Sequence, residues 1–168
     1  RPDLDAESFT ADRFFRTGDT GERRPDGLLR ITGRKKELFK TAKGKYVAPA
    51  PIENRLNEHP MVELSCVTGV GQPAAYALVV LAEEWRSRVA DAADRAQVER
   101  ELTALLHRVN AQSADYEILQ MLVVSDAAWS IEAGTLTPTM KIKRSAIEAA
   151  VGSRMAGWYA AGTSVVWA

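Results

Sequence analysis

The chain has 168 residues, with 22 Lys plus Arg against 22 Asp plus Glu and 46% hydrophobic content. It is long enough to bury its own core, as one domain or one domain plus part of another. Zero net charge excludes a whole-molecule attraction to nucleic acid or anionic membrane, so any preference for phosphate must be local. There is no run of eighteen apolar residues, the length a membrane-spanning helix needs. The single cysteine, Cys66, sits inside an apolar run. That rules out a disulfide framework or thiolate metal site and reads as a small buried hydrophobe in a reducing compartment.

In chain order, Arg24-Pro25-Asp26-Gly27 is a turn in which proline presets φ and glycine takes the left-handed position. It joins Glu22-Arg23 to Leu28–Ile31 as a hairpin. Alternation of Leu29 and Ile31 with Arg30 and Thr32 is that of a half-buried strand, which Gly33 is expected to break. A second short run, Glu37–Thr41, leads through Ala42-Lys43-Gly44-Lys45 to Tyr46-Val47, a tight hairpin turning at Gly44. Arg34, Lys35, Lys36, Lys40, Lys43 and Lys45 place six cations within twelve residues against one anion, Glu37. Such a cluster suits phosphate-bearing ligands.

Pro51 opens a helix carrying Ile52 and Leu56 that stops near His59-Pro60. Strands follow at Val62–Val70 and Tyr76–Leu81. Val98, Leu102, Leu105, Leu106 and Val109 mark one face of a helix over about 93–111. Ile118–Val124 is a further strand, and a last helix runs over about 145–155 with Ile147 and Val151 inward. This order gives an α+β fold: a small sheet backed by helices, preceded by a β-hairpin. The sequence provides no structural reading of the tail, residues 160–168. His59 and His107 read as surface residues, and no metal-ligand spacing, G-x-S-x-G or G-x-G-x-x-G is present.

Three motifs carry a resemblance. Residues 33–47, G-R-K-K-E-L-F-K-T-A-K-G-K-Y-V, resemble the hinge motif of long-chain acyl-CoA synthetases, members of the adenylate-forming (AMP-binding) enzyme superfamily. Arg16-Thr17-Gly18-Asp19 resembles a second superfamily motif. Gly134-Thr135-Leu136-Thr137-Pro138-Thr139-Met140-Lys141-Ile142-Lys143-Arg144 is similar to the C-terminal lysine motif of the long-chain enzymes, where small-acid ligases tend to carry a Ser-Gly-Lys form. The motifs stand in the family's order and the resemblance covers residues 14–148.

The resemblance implies a two-step enzyme. An acid and ATP give acyl-adenylate and pyrophosphate, then the CoA thiol displaces AMP. Asp19 would accept hydrogen bonds from the nucleotide ribose, since a carboxylate offers two acceptor oxygens to a diol. Arg34 would contact the ribose or a phosphate. Lys36 would be the hinge whose dihedrals absorb rotation of a C-terminal lid between steps. Lys141 would bridge the substrate carboxylate and the α-phosphate, offsetting the charge that builds there. After rotation the hairpin of Lys43, Gly44 and Lys45 would face the active site beside the pantetheine channel, the two lysines meeting CoA phosphates.

Residues 1–35 are accordingly expected to end an N-terminal adenylation domain and residues 36–168 to form the lid. The first residue is not Met, and the superfamily's phosphate loop, Mg-binding glutamate motif and acyl tunnel have no counterpart here. The chain is therefore expected to be the last quarter of an enzyme using ATP, CoA and Mg, inactive alone. Its implied partners are its own N-terminal domain, a fatty acid, ATP or AMP, and CoA, with no nucleic acid. The parent is expected in the cytoplasm or peripherally at the inner membrane. An exposed Lys141 would lose the charge needed for the first step on acetylation. Two rival readings are a lid that passes the acyl group to a carrier protein or reductase domain, and a non-catalytic basic module for nucleic acid or anionic lipid. Net charge of zero and only Phe39 and Tyr46 among the basic residues weigh against the latter.

Overall fold

A computed structural model describes residues 7–168; the first six residues of the expected 1–35 segment lie outside the described residues. Strands β1 (Asp19–Arg23) and β2 (Leu29–Arg34) form an antiparallel hairpin. Its turn is as expected: Gly27 has φ of 84° and donates to the Arg24 carbonyl at 2.9 Å. Asp26 Oδ1 accepts the Leu28 amide at 3.1 Å. Gly33 stays within the strand, paired with Thr20, but the run is irregular beside it: Ile31 pairs with Gly21, which leaves Thr32 as the extra residue of a bulge. One expectation for this hairpin fails. The strand is not half-buried, because Leu28, Leu29 and Ile31 are 62%, 77% and 66% exposed. Alternation announces a strand with one apolar face, and nothing among the described residues covers that face.

A 3-10 turn at Lys35–Glu37 leads to the two-residue strands β3 (Phe39–Lys40) and β4 (Tyr46–Val47). Helix α1 (Pro49–Asn57) opens two residues ahead of Pro51. Both prolines lie in the first turn, where amides have no intrahelical acceptor to lose. Then come β5 (Val62–Thr68), β6 (Ala75–Leu81), the short α2 (Glu83–Arg86) and α3 (Ala92–Asn110). The chain ends with β7 (Leu119–Val124), α4 (Arg144–Val151), α5 (Met155–Ala161) and β8 (Val165–Trp167). Asp91 caps α3 by accepting the amides of Ala93 and Asp94 at 2.8 and 3.1 Å, which satisfies two donors that open every helix.

The main sheet runs β5-β6-β7-β8, antiparallel between β5 and β6 and parallel across the other two pairs. The parallel β6–β7 pair follows from α3, a crossover long enough to return the chain to the same end. Every residue of β6 is buried. Its alternating side chains feed two cores. Ala75, Ala77, Val79 and Leu81 join Ile52 and Leu56 of α1 and Val98, Leu102 and Leu106 of α3. Tyr76 and Leu78 join Ile147, Val151 and Trp158 of α4 and α5. The expected α+β fold, a small sheet backed by helices behind an initial hairpin, is what forms, with helices on both faces.

Two further expectations are corrected, and the tail, for which the sequence provides no reading, takes a structure. The last helix is two helices: α4 stops at Val151, before Gly152 and Ser153, and α5 begins at Met155. The tail forms β8, paired with β7 at Leu122, Val123 and Val124. Trp167 fixes it, donating its indole N–H to Glu99 Oε1 at 2.7 Å under the Arg95 guanidinium, 4.1 Å from the ring. His59 is not a surface residue: its side chain is 11% exposed and lies 4.0 Å from Glu101. Its Nδ1 accepts the Met61 amide at 3.3 Å, and burial, with Arg108 nearby, lowers its pKa. His107 is exposed.

Candidate functional site

Asp19 and Arg34 meet because they are the first rung of the β1–β2 ladder. Arg34 Nε lies 3.0 Å from Asp19 Oδ1, with the arginine side chain 60% exposed. The Asp19 amide is turned toward Thr17 Oγ1 at 3.1 Å, and the Lys35 amide donates to the Gly18 carbonyl at 2.8 Å. The two residues expected to meet the nucleotide are thus neighbours in a pair whose arginine is exposed and whose aspartate is half-buried.

Lys36 is the middle residue of the 3-10 turn and is exposed. It lines a cleft of about 480 Å³ whose walls include Glu37, Phe39, Glu53, Lys141 and Arg144. The expected hinge lysine and the expected adenylation lysine, 105 positions apart in sequence (141 less 36), therefore border one cleft.

The local fold around Lys141 follows from its motif. Thr137 and Lys141 are bridged backbone to backbone, the Thr137 amide donating to the Lys141 carbonyl at 2.8 Å. Met140 donates to the Thr137 carbonyl at 2.9 Å and Lys143 to the Thr135 carbonyl at 2.8 Å. The Thr137 hydroxyl accepts the Lys141 amide at 3.1 Å and lies 3.0 Å from that of Thr139. Closing so tight a turn puts Met140 at φ 61°, an uncommon conformation for a side-chain-bearing residue. Leu136, 2% exposed, roots the base and bridges to Ile142. Lys141 leaves this turn exposed: an ammonium on a rigid post, able to meet an anion brought to the cleft.

Lys43, Gly44 and Lys45 form the exposed tip of the β3–β4 hairpin and do not line the cleft. Gly44 has φ of 78° and donates to the Thr41 carbonyl at 2.9 Å, so a side chain here would be strained. The hairpin is strapped to the β5–β6 turn, Ala42 donating to the Gln72 carbonyl at 2.9 Å and Gly71 to that of Lys40 at 3.0 Å.

Arg144 and Glu53 escaped the sequence reading. Arg144 Nη1 donates to Glu53 Oε1 at 2.6 Å, to the Val67 carbonyl at 2.7 Å and to Cys66 Sγ at 3.3 Å. Its Nη2 reaches Glu53 Oε2 at 3.2 Å and stands 4.0 Å from Glu37 Oε2. Glu53 Oε1 also accepts the Val67 amide at 2.7 Å. Burial works against the Arg144 charge, but the Glu53 hydrogen bonds and nearby negative charge outweigh it, and its pKa is raised. The signal was present in the sequence: Glu53 follows Ile52 on the inward face of α1, and a carboxylate there demands a cationic partner. Cys66 behaves as expected; burial pushes its thiol up to about 12, leaving no thiolate for chemistry.

Among the described residues, no group of three or more His, Cys, Asp or Glu side chains could hold a metal ion. No helix of the described residues is long and apolar enough to cross a membrane.

The pattern described as AMP-binding enzyme C-terminal domain matches residues 37–162. Long-chain-fatty-acid–CoA ligase FadD15 of Mycobacterium tuberculosis is 36% identical over 153 residues, covering 84% of this chain and 25% of the relative. Human long-chain-fatty-acid–CoA ligase 6 is 29% identical over 157 residues, 85% of this chain and 22% of that protein. Among solved structures, the adenylation domain of a carboxylate reductase from Mycobacterium chelonae superposes with a TM-score of 0.77 at 28% identity, over 95% of this chain and 25% of that one. The chain spans about a quarter of the length of the first of these curated relatives. The pattern runs from Glu37, the last residue of the 3-10 turn, through α5 and takes in the lysine turn, the buried Arg144 pair and both cores; the chain belongs to the AMP-binding enzyme C-terminal domain family.

Proposed function

We propose that this chain is the hinge and lid of an ATP-dependent long-chain fatty acid–CoA ligase. The observation that carries the reading is the shared cleft: Lys36 and Lys141, far apart in sequence, border one opening. Rotation at Lys36 therefore moves Lys141 about a nearby pivot. In the first half-reaction Lys141 neutralises the two anions that meet, the fatty acid carboxylate and the ATP α-phosphate, with Asp19 and Arg34 on the nucleotide. Placing a charge where charge develops is the largest single source of acceleration in such transfers. In the second, the lid turns, Lys141 leaves, and the Gly44 hairpin lines the approach of CoA with Lys43 and Lys45 toward its phosphates. Residues 1–35 belong to the preceding domain, a placement supported by the uncovered Leu28, Leu29 and Ile31. Any Mg used with ATP would be held by residues of that domain.

The test is ATP–pyrophosphate exchange with a fatty acid in the enzyme that carries this chain. Lys141→Ala should cut exchange to a small but measurable residual rate while CoA still attacks pre-made acyl-adenylate; absence of acid-dependent exchange in the wild type would end the reading. The chain alone should form no acyl-CoA. Acetylation of Lys141, mimicked by Lys141→Gln, should suppress the same half-reaction. Similarity to a carboxylate reductase adenylation domain favours one second reading, transfer to a carrier or reductase domain. Thioester formation with CoA against a carrier phosphopantetheine separates the two.

A further inference from the structure

The lysine turn ends at Lys143, and the next residue is Arg144. The guanidinium enters the wall of the cleft, where it is 16% exposed, and there it binds three separate parts of the fold. Glu53 belongs to α1, the Val67 carbonyl and Cys66 to β5, and Glu37 to the last residue of the hinge turn. Lys141 itself has no comparable anchor: its side chain is exposed, and its backbone is held only by its own turn. The position of the turn relative to the cleft is therefore set at its root, by Leu136 and Ile142 packing on one side and by Arg144 on the other. Glu37 follows Lys36 directly, so the same guanidinium also faces the lid side of the hinge.

Resting on the reading of Lys141 and Lys36 above, we infer that Arg144 is a positioning residue for adenylation, holding the Lys141 turn and the lid end of the hinge in one rigid unit. Its planar fork suits this task. One Nη1 reaches carboxylate, carbonyl and thiol together, and Nη2 spans toward two carboxylates; a lysine ammonium is a point charge that cannot meet them all. When hinge dihedrals change at Lys36, a rigid unit carries Lys141 through a defined arc. A loose one leaves its ammonium displaced by about an ångström, enough to cost about a hundredfold in rate.

The experiment is a double-mutant cycle in the full enzyme, with Arg144→Lys, Lys141→Ala and the pair, reading both half-reactions. Arg144→Lys should slow ATP–pyrophosphate exchange by about tenfold to a hundredfold and change CoA attack on supplied acyl-adenylate by less than about threefold. In the Lys141→Ala background the further loss of exchange should vanish, because a residue acting through another shows no independent effect. Equal losses in both half-reactions, or a penalty that persists without Lys141, would reduce Arg144 to a stability element and overturn the inference. If Arg144→Lys does not fold, Glu53→Gln, which keeps an acceptor oxygen but removes the charge, replaces it in the same cycle, and the same two results support or overturn the inference. Failure of the functional reading is separate: there, Lys141→Ala leaves exchange intact, and the inference falls with it.

Discussion

Two arginine–carboxylate pairs in this chain have the same chemistry and opposite surroundings. Arg34 and Asp19 lie 3.0 Å apart on the β1–β2 hairpin with side chains 60% and 26% exposed. Arg144 and Glu53 lie 2.6 Å apart under the cleft with side chains 16% and 10% exposed. In the first pair water competes for every charge, so the partners can be exchanged for a ligand at little cost. In the second, each charge has been taken out of water and depends on the other and on the Val67 backbone. The exposed pair is suited to bind something that comes and goes. The buried one is suited to hold the frame that presents Lys141.

The sharpest way to break that contrast is to delete one partner of each. Glu53→Ala should destabilise the fold by about 3–5 kcal/mol, because it strands a buried guanidinium; urea melts of the purified chain would read it. A loss under about 1 kcal/mol, the range of exposed pairs, would mean that water reaches Arg144 freely. Trp167, held between Arg95 and Glu99, is an intermediate case. Trp167→Ala should cost about 1–2 kcal/mol, through a lost cation–π contact and a charge-assisted hydrogen bond, and should free β8 from β7. Amide exchange at Val165 and Val166 reports that directly.

Alkaline pH probes the buried side of the comparison without mutation. Cys66, against Arg144, and Tyr159 both titrate only near 12, chiefly because burial disfavours their anions. In the unfolded chain they lose protons at about 8.5 and 10. The folded state then binds more protons, so stability is full below about pH 8.5 and declines as pH rises toward 12. Native Cys66 should accordingly resist thiol reagents at about pH 8 and react only on unfolding; rapid labelling of the folded chain would contradict its burial. The smallest effect belongs to the exposed pair. Asp19→Asn should shift stability by under about 1 kcal/mol and show little further change in high salt, where the wild-type pair is already screened. In the full enzyme the same change should weaken ATP binding.

How far the fold was legible depended on how much of each signal was local. The helix at 92–110 announced itself by Val98, Leu102, Leu105, Leu106 and Val109, because a long one-faced stripe has few other uses. β6 read as a buried strand from the six consecutive apolar residues Tyr76–Leu81, one short of its extent, Ala75–Leu81. The Pro-Asp-Gly turn and the Gly44 turn were written in residues that supply the needed dihedrals. By contrast β8 has three residues, too few for any period to show, and exists only because β7 offers it an open edge. The break of the last helix at Gly152 had a local cue, but the turn of α5 back over Tyr76 did not.

Of the candidate site, the sequence by itself determined the chemistry available: which cations stand at 34, 36 and 141, and which carboxylate stands at 19. Those properties reside in residue types and short spacings, and they are independent of anything distant. Only the tertiary structure decided which of them meet. It brought Lys36 and Lys141 to one cleft, kept Lys43 and Lys45 away from it, and joined Arg144 to Glu53 across 91 positions (144 less 53). It also left Leu29 and Ile31 uncovered although their alternation is that of a buried face. The reason is that burial and ion pairing are properties of pairs of surfaces. A sequence states what each residue offers; the energy is settled by what the fold sets opposite it.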